Sequence, residues 1–137
     1  MILILSTSDN FHTNLIQNKL ENRGLDFLRV NSDCLPIYNC FFSHGGTNSI
    51  SISGKNICPE DVSGIFVHHP RIIFSDTIGS DSLDRSLVRS SCLNFLNWLE
   101  CFVPSSKWMN SLNKIRSSSY VFTQLSLAKS VGFKVPK

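Results

Sequence analysis

The sequence predicts an α/β domain of three layers, with a mostly parallel open sheet, a β-hairpin insertion and one long amphipathic helix. Three observations predict it. Met1–Leu5 is a continuous apolar run bounded by polar residues, as in a strand buried on both faces. A helical pattern and a second run, Leu25–Val30, follow within about 30 residues, the span of a βαβ unit with a right-handed crossover. From Val88 to Phe102, apolar residues then keep a helical period.

Each element has its own grounds. After Ser6-Thr7-Ser8-Asp9 the first helix carries Phe11, Leu15, Ile16 and Leu20 on one side, and Gly24 suits the position after its last residue. Leu25–Val30 forms the second strand and Asn31-Ser32-Asp33 ends it. Tyr38–Ser43 and Ser49–Ser53 flank His44-Gly45-Gly46-Thr47-Asn48. Ile50 and Ile52 alternate there with serines, which predicts a hairpin with one wet face. Gly64–His68 reads as another buried parallel strand, and Pro70 marks its exit. Ile72–Gly79 reads as an irregular connector. The long helix starts at Ser80 or Asp81, with Asp81 and Asp84 near its positive end, and Pro104 ends it. Its stripe is Val88, Cys92, Phe95, Leu96, Leu99 and Phe102. Trp108-Met109-Asn110 opens a new segment, in which the tryptophan anchors one element on another. Ser117-Ser118-Ser119 is expected to cap a last helix bearing Val121, Leu125 and Ala128, closed by Gly132. Val135-Pro136 begins something extended, so the chain reads as a fragment of a longer protein.

Composition narrows the function classes. The 137 residues leave room for one domain, and a hydrophobic fraction of 42% supports a core. Thirteen Lys and Arg against ten Asp and Glu give a net charge of +3, too small and scattered for a nucleic-acid binder. Met1–Leu5 is too short for a membrane span or a signal-peptide core, so a cytoplasmic protein without a membrane partner is expected. The five cysteines are odd in number and form no C-x-x-C pair, which favours reduced thiols over a disulfide framework or zinc knuckle. Cys92, on the apolar stripe, is expected to be inert.

No complete active site is visible: phosphate-loop, dinucleotide and zinc-protease motifs are all missing. Thr7-Ser8-Asp9 suits a helix cap or a ligand contact, since helix N-termini attract anions. Asn31-Ser32-Asp33 suits a turn, or a ribose contact in a dinucleotide fold. His68-His69-Pro70-Arg71 lies at the carboxyl end of a central strand, where open α/β sheets gather ligands. Adjacent strand residues face opposite ways, so the two histidines are not expected to share a metal. One is expected inside and one at the rim, with His69 and Arg71 as candidate substrate or anion contacts.

Taken together, Met1–Asp9, Phe27–Asp33, the strand ending in Pro70, Trp108-Met109-Asn110 and Gln124–Pro136 form an ordered set. The set resembles the N-terminal, pre-ATP-grasp part of the ATP-grasp peptide maturases, the microviridin-type ligases and their grasp-with-spasm relatives that make graspetides. The resemblance spans essentially the whole chain. It implies a pre-ATP-grasp domain over residues 1–110, with 111–137 as a linking helix and the start of the ATP-grasp domain. It implies a parent enzyme that uses ATP and magnesium to activate an acidic side chain of a ribosomal precursor peptide. A hydroxyl or amine of that peptide then closes an ester or amide crosslink. This fragment alone would be a scaffold at the substrate border, inactive and without tight binding of ATP. Its partners would be the precursor peptide, the downstream ATP-grasp domain and, as a further candidate, a second copy of the chain. His69 and Arg71 would contact the precursor. Where the family carries two arginines before the strand-end proline, this chain has His68-His69, with Arg71 beyond it. Histidine is mostly neutral near pH 7, so if that pair contacts an acidic peptide in the family, the contact here would be weaker or different. The other reading is a free-standing flavodoxin-like binding or signalling module. Its receiver-type version needs a cluster of strand-end acids, and only Asp9 and Asp33 are suitably placed.

Overall fold

Strand β1 (Ile2–Ser6) is the middle of a three-stranded parallel sheet, between β2 (Phe27–Asn31) and β6 (Gly64–Val67). The structure, a computed structural model, describes residues 1–37, 40–43, 49–52, 54–72 and 82–136. Ile2 pairs with Phe27 on one side and Gly64 on the other, and the register runs on to Ser6–Asn31 and Leu5–Val67. A parallel bridge between Ile65 and Trp108 extends the sheet by one residue beyond β6.

The expected hairpin is present and larger than the sequence showed. Strands β3 (Cys40–Ser43) and β4 (Ser49–Ile52) are antiparallel, and β5 (Lys55–Ile57) adds a third strand to this second sheet. Ile50, Ile52 and Ile57 enter the main core, which accounts for the alternation with serine along β4. The expected turn at His44–Asn48, Tyr38 with Asn39, Ser53, and most of the connector (73–79, with Ser80 and Asp81) lie outside the described residues.

The two sheet faces are covered differently. Leu3, Leu5, Val30, Ile65 and Val67 share one core with Cys92, Phe95, Leu96, Leu99 and Val103 from helix α2 (Ser82–Phe102) and its C-terminal end. The predicted stripe is therefore the buried one, with Val88 and Phe102 packed at its margins. Each fully buried Leu or Ile contributes about 1.5–3 kcal/mol here. Burial also pushes the Cys92 thiol pKa up, so this sulfur stays protonated and inert.

Helix α1 (Phe11–Asn22) covers the opposite face, where its buried residue is Thr13. The Thr13 hydroxyl donates to Ser6 Oγ at 3.0 Å. The expectation that Phe11, Leu15, Ile16 and Leu20 form one buried side is corrected. At 3.6 residues per turn Ile16 and Leu20 fall beside Thr13, whereas Phe11 and Leu15 fall opposite it. Both of the latter are exposed. The cap is likewise Asn10 rather than Thr7-Ser8-Asp9: its side chain accepts from the Thr13 N–H. Gly24 closes the helix as expected, with φ +61°, its N–H on Glu21 O and the Leu25 N–H on Leu20 O.

After Pro104 the chain reaches Trp108, then two further helices, α3 (Leu112–Ser118) and α4 (Val121–Ser130). Helix α3 was not expected. Ser111 caps it by accepting from the Lys114 N–H at 3.2 Å. Ser117 and Ser118 are thus the end of α3 and Ser119 its C-terminal cap, not the cap of α4, whose N-cap is Tyr120. Their hydroxyls donate back to carbonyls of the same turn. Gly132 closes α4 at φ +93°, and residues 133–136 adopt no regular element. Among the described residues no helix is long and apolar enough to cross a membrane.

Candidate functional site

The carboxyl ends of β1, β2 and β6 carry the polar segments that the sequence marks, and two of the three are used up internally. The Ser8 N–H donates to Asp33 Oδ1 at 2.9 Å, and its hydroxyl donates to Asp33 Oδ2. Thr7 and Ser8 carbonyls accept from Arg29 Nη2 at 2.7 and 3.0 Å, while other Arg29 nitrogens donate to Asn14, Gln17 and Asn31. Ser32 is fully buried, its hydroxyl oxygen accepting from the Arg71 N–H at 2.8 Å. Residues 32–37 form a 3-10 helix where a simple turn was expected. Thr7, Ser8, Asn31, Ser32 and Asp33 thus brace the strand ends, Asp33 is occupied by Ser8, and Asp9 is exposed.

The third segment opens outward. The His68 N–H donates to Leu5 O at 3.0 Å and its carbonyl accepts from Ser6 Oγ at 2.7 Å, which continues the sheet by one residue. His69 then adopts φ +46°, a left-handed value uncommon for a residue with a Cβ and doubly so before proline. Such strain gathers at binding sites. It also breaks strand alternation: the His69 ring lies edge-on to His68 at 4.6 Å, with His12 5.4 Å from His68 on its other side. His68 is half-buried and His69 exposed, as expected of one inner and one rim histidine. Burial, then the neighbouring His69 and His12, hold the His68 pKa below the ordinary histidine value. Among the described residues, no group of His, Cys, Asp or Glu is placed to hold a metal ion.

Beyond His69 lies a cleft of about 550 Å³. Residues 69–72 form one wall, Arg89, Leu93 and Leu96 of α2 another, and Leu112, Ile115, Arg116, Ser119 and Tyr120 the third. Leu96 and Leu112 are buried, whereas Arg71, Arg89, Leu93, Arg116 and Tyr120 are exposed. Arg116 Nη1 is steadied by Asn97 Oδ1 at 3.0 Å. Three arginines and no carboxylate are found among the described lining residues, a composition that suits an anion over an apolar base. His69 and Arg71, the two residues picked from sequence, are brought together on one of its walls. Arg89 and Arg116 were missed. The signal lay in Arg89-x-x-x-Leu93-x-x-Leu96 and in Leu112, Ile115, Arg116 and Ser119, each one face of a helix.

With this geometry described, comparison with known proteins is informative. No protein-family model matches the sequence, and no curated protein matches it. Solved structures do. Macrocyclase MdnC from Microcystis aeruginosa MRC, bound with precursor peptide MdnA, matches with a TM-score of 0.78 at 18% identity, over 100% of this chain and 46% of its own. Macrocyclase MdnB from the same organism matches with 0.77 at 20% identity, over 99% and 46%. A RiPP-associated ATP-grasp ligase of Chryseobacterium gregarium, in complex with ADP and a leader and core peptide, matches with 0.67 at 22%, over 99% and 42%. The chain shares its fold with part of these peptide ligases. It spans just under half of the length of each, and its parallel sheet, hairpin and helices make up the shared portion. The expected α/β architecture, with a parallel sheet, a hairpin insertion and a long helix, is the one observed.

Proposed function

We propose that this chain is the N-terminal, pre-ATP-grasp part of an ATP-grasp peptide ligase that crosslinks side chains of a ribosomal precursor peptide. Residues 1–110 are the domain proper; 111–137, with α3 and α4, are the linker and the approach to the ATP-grasp domain. The observation that supports this most is the match over the whole chain to MdnC, a macrocyclase solved with its precursor peptide. In the parent enzyme ATP with magnesium activates a precursor carboxylate for attack by a hydroxyl or amine of the same peptide. We assign that chemistry to the rest of the parent, as the family resemblance implies. This part borders the peptide, with His69 and Arg71 at the contact. The parent acts in the cytoplasm.

The test is expression of the polypeptide encoded by the complete reading frame, with mass spectrometry of an acidic precursor peptide. ATP-dependent loss of one water per crosslink supports the reading, and intact precursor under all conditions overturns it. Calorimetry on the 137-residue chain should show no tight ATP binding; micromolar affinity contradicts the scaffold role.

A further inference from the structure

The cleft beyond β6 joins two features seldom found together by accident. A strand exit, α2 and α3 each supply one exposed arginine to its lining, and no carboxylate is found among the described lining residues. Beside those arginines, Leu93 and Tyr120 remain exposed although Leu96 and Leu112 below them are buried. A small inorganic anion would satisfy the arginines and leave this apolar shelf wet. A peptide carboxylate carried next to a bulky apolar side chain satisfies both, and about 550 Å³ is within the usual range for such a ligand.

We infer that Arg71, Arg89 and Arg116 hold a carboxylate of a bound peptide, and that Leu93 and Tyr120 select a bulky apolar residue adjacent to it. Guanidinium groups grip a carboxylate through paired N–H donors, and they stay charged at any physiological pH. Arg89 and Arg116 are thereby binding residues, and the shelf sets which acidic side chain of a peptide is accepted. For the identity of that peptide the inference rests on the ligase reading above; for the chemistry of the cleft it rests on the cleft alone.

The experiment is an NMR titration of the full 137-residue chain, labelled with nitrogen-15, with an acetylated, amidated Gly-Phe-Glu-Gly peptide. The amides of Arg71, Ile115 and Tyr120 are expected to shift saturably. The Glu-to-Gln peptide should bind about tenfold more weakly, as should the Phe-to-Gly peptide. Arg89→Gln with Arg116→Gln should lower affinity by about tenfold or more while leaving the rest of the spectrum in place, since both side chains are exposed. Equal binding of the Glu and Gln peptides overturns the inference. So does inorganic phosphate shifting the same amides at equal concentration, or undiminished affinity of the double variant. Failure here with crosslinking intact in the complete polypeptide sinks only this inference. Peptide binding without any ATP-dependent crosslinking sinks only the ligase reading.

Discussion

Ser32 and Arg71 lie 39 positions apart and meet at 2.8 Å, the Arg71 N–H donating to the buried Ser32 hydroxyl. This bond ties the end of β2 to the exit of β6 and fixes one wall of the basic cleft. Replacing Ser32 by Ala strands a part-buried N–H and is expected to cost about 1–3 kcal/mol. Urea denaturation should show a lower midpoint at unchanged slope. An unaltered midpoint would show that the contact adds nothing to stability.

His68 gives a pH dependence of definite sign. His68 has a lowered pKa in the folded chain, so near and below pH 6.5 the unfolded chain binds more protons than the folded one. Its contribution is complete above the unfolded value and is lost as pH falls through the window down to the folded pKa. His68→Gln should flatten the fall in stability below about pH 6.5 relative to the parent chain. Parallel curves for the two proteins would contradict the assignment.

Trp108 joins sheet and helix. Its Nε1–H donates to Val103 O at 3.0 Å, and its backbone bridges to Ile65. Trp108→Phe leaves that carbonyl without its donor and is expected to cost about 1–3 kcal/mol. Trp108→Ala should cost about 3–5 kcal/mol through the cavity it leaves. Thermal melts followed by circular dichroism would rank the two; a Trp108→Phe melting temperature equal to that of the parent chain would deny the hydrogen bond any role.

The outer face of α1 supplies a contrast. Phe11→Ser and Leu15→Ser, both at exposed positions, should change stability by no more than about 0.5 kcal/mol. Leu99→Ala, at 1% exposure, should cost about 2–5 kcal/mol. A large loss from Phe11→Ser in the isolated chain would mean that the residue is packed after all.

Long-period signals in the sequence were legible. The runs Met1–Leu5 and Gly64–His68 read as buried strands and both lie in the parallel sheet, β1 buried from Leu3 to Ser6 and β6 at alternate residues only. The Val88–Phe102 stripe held its phase over about four turns. Gly24 and Gly132 marked the helix ends because their backbone sits where only glycine is at ease. Short elements were not legible. Helix α3 is seven residues long with three serines at its end, so cap chemistry and helix interior looked the same. In α1, Phe11 and Ile16 read as neighbours although 500° of helical rotation sets them on different sides. The cleft was half visible. His69 and Arg71 are two positions apart in sequence; helix periodicity puts Arg89 and Arg116 each on a face with apolar residues, but only the packing of α2 and α3 brings those faces to the exit of β6.

The order β2-β1-β6 has a consequence for how the molecule comes into being. Its central strand emerges from the ribosome before both of its neighbours, and the ammonium group of Met1 waits for the carbonyl of Asp61. β2 can pair with β1 once residue 31 has been synthesised, but the other edge of β1 has no hydrogen-bonded partner until residue 67 follows. Nascent chains halted before β6 should therefore recruit holdase chaperones, and those halted just after it should release them.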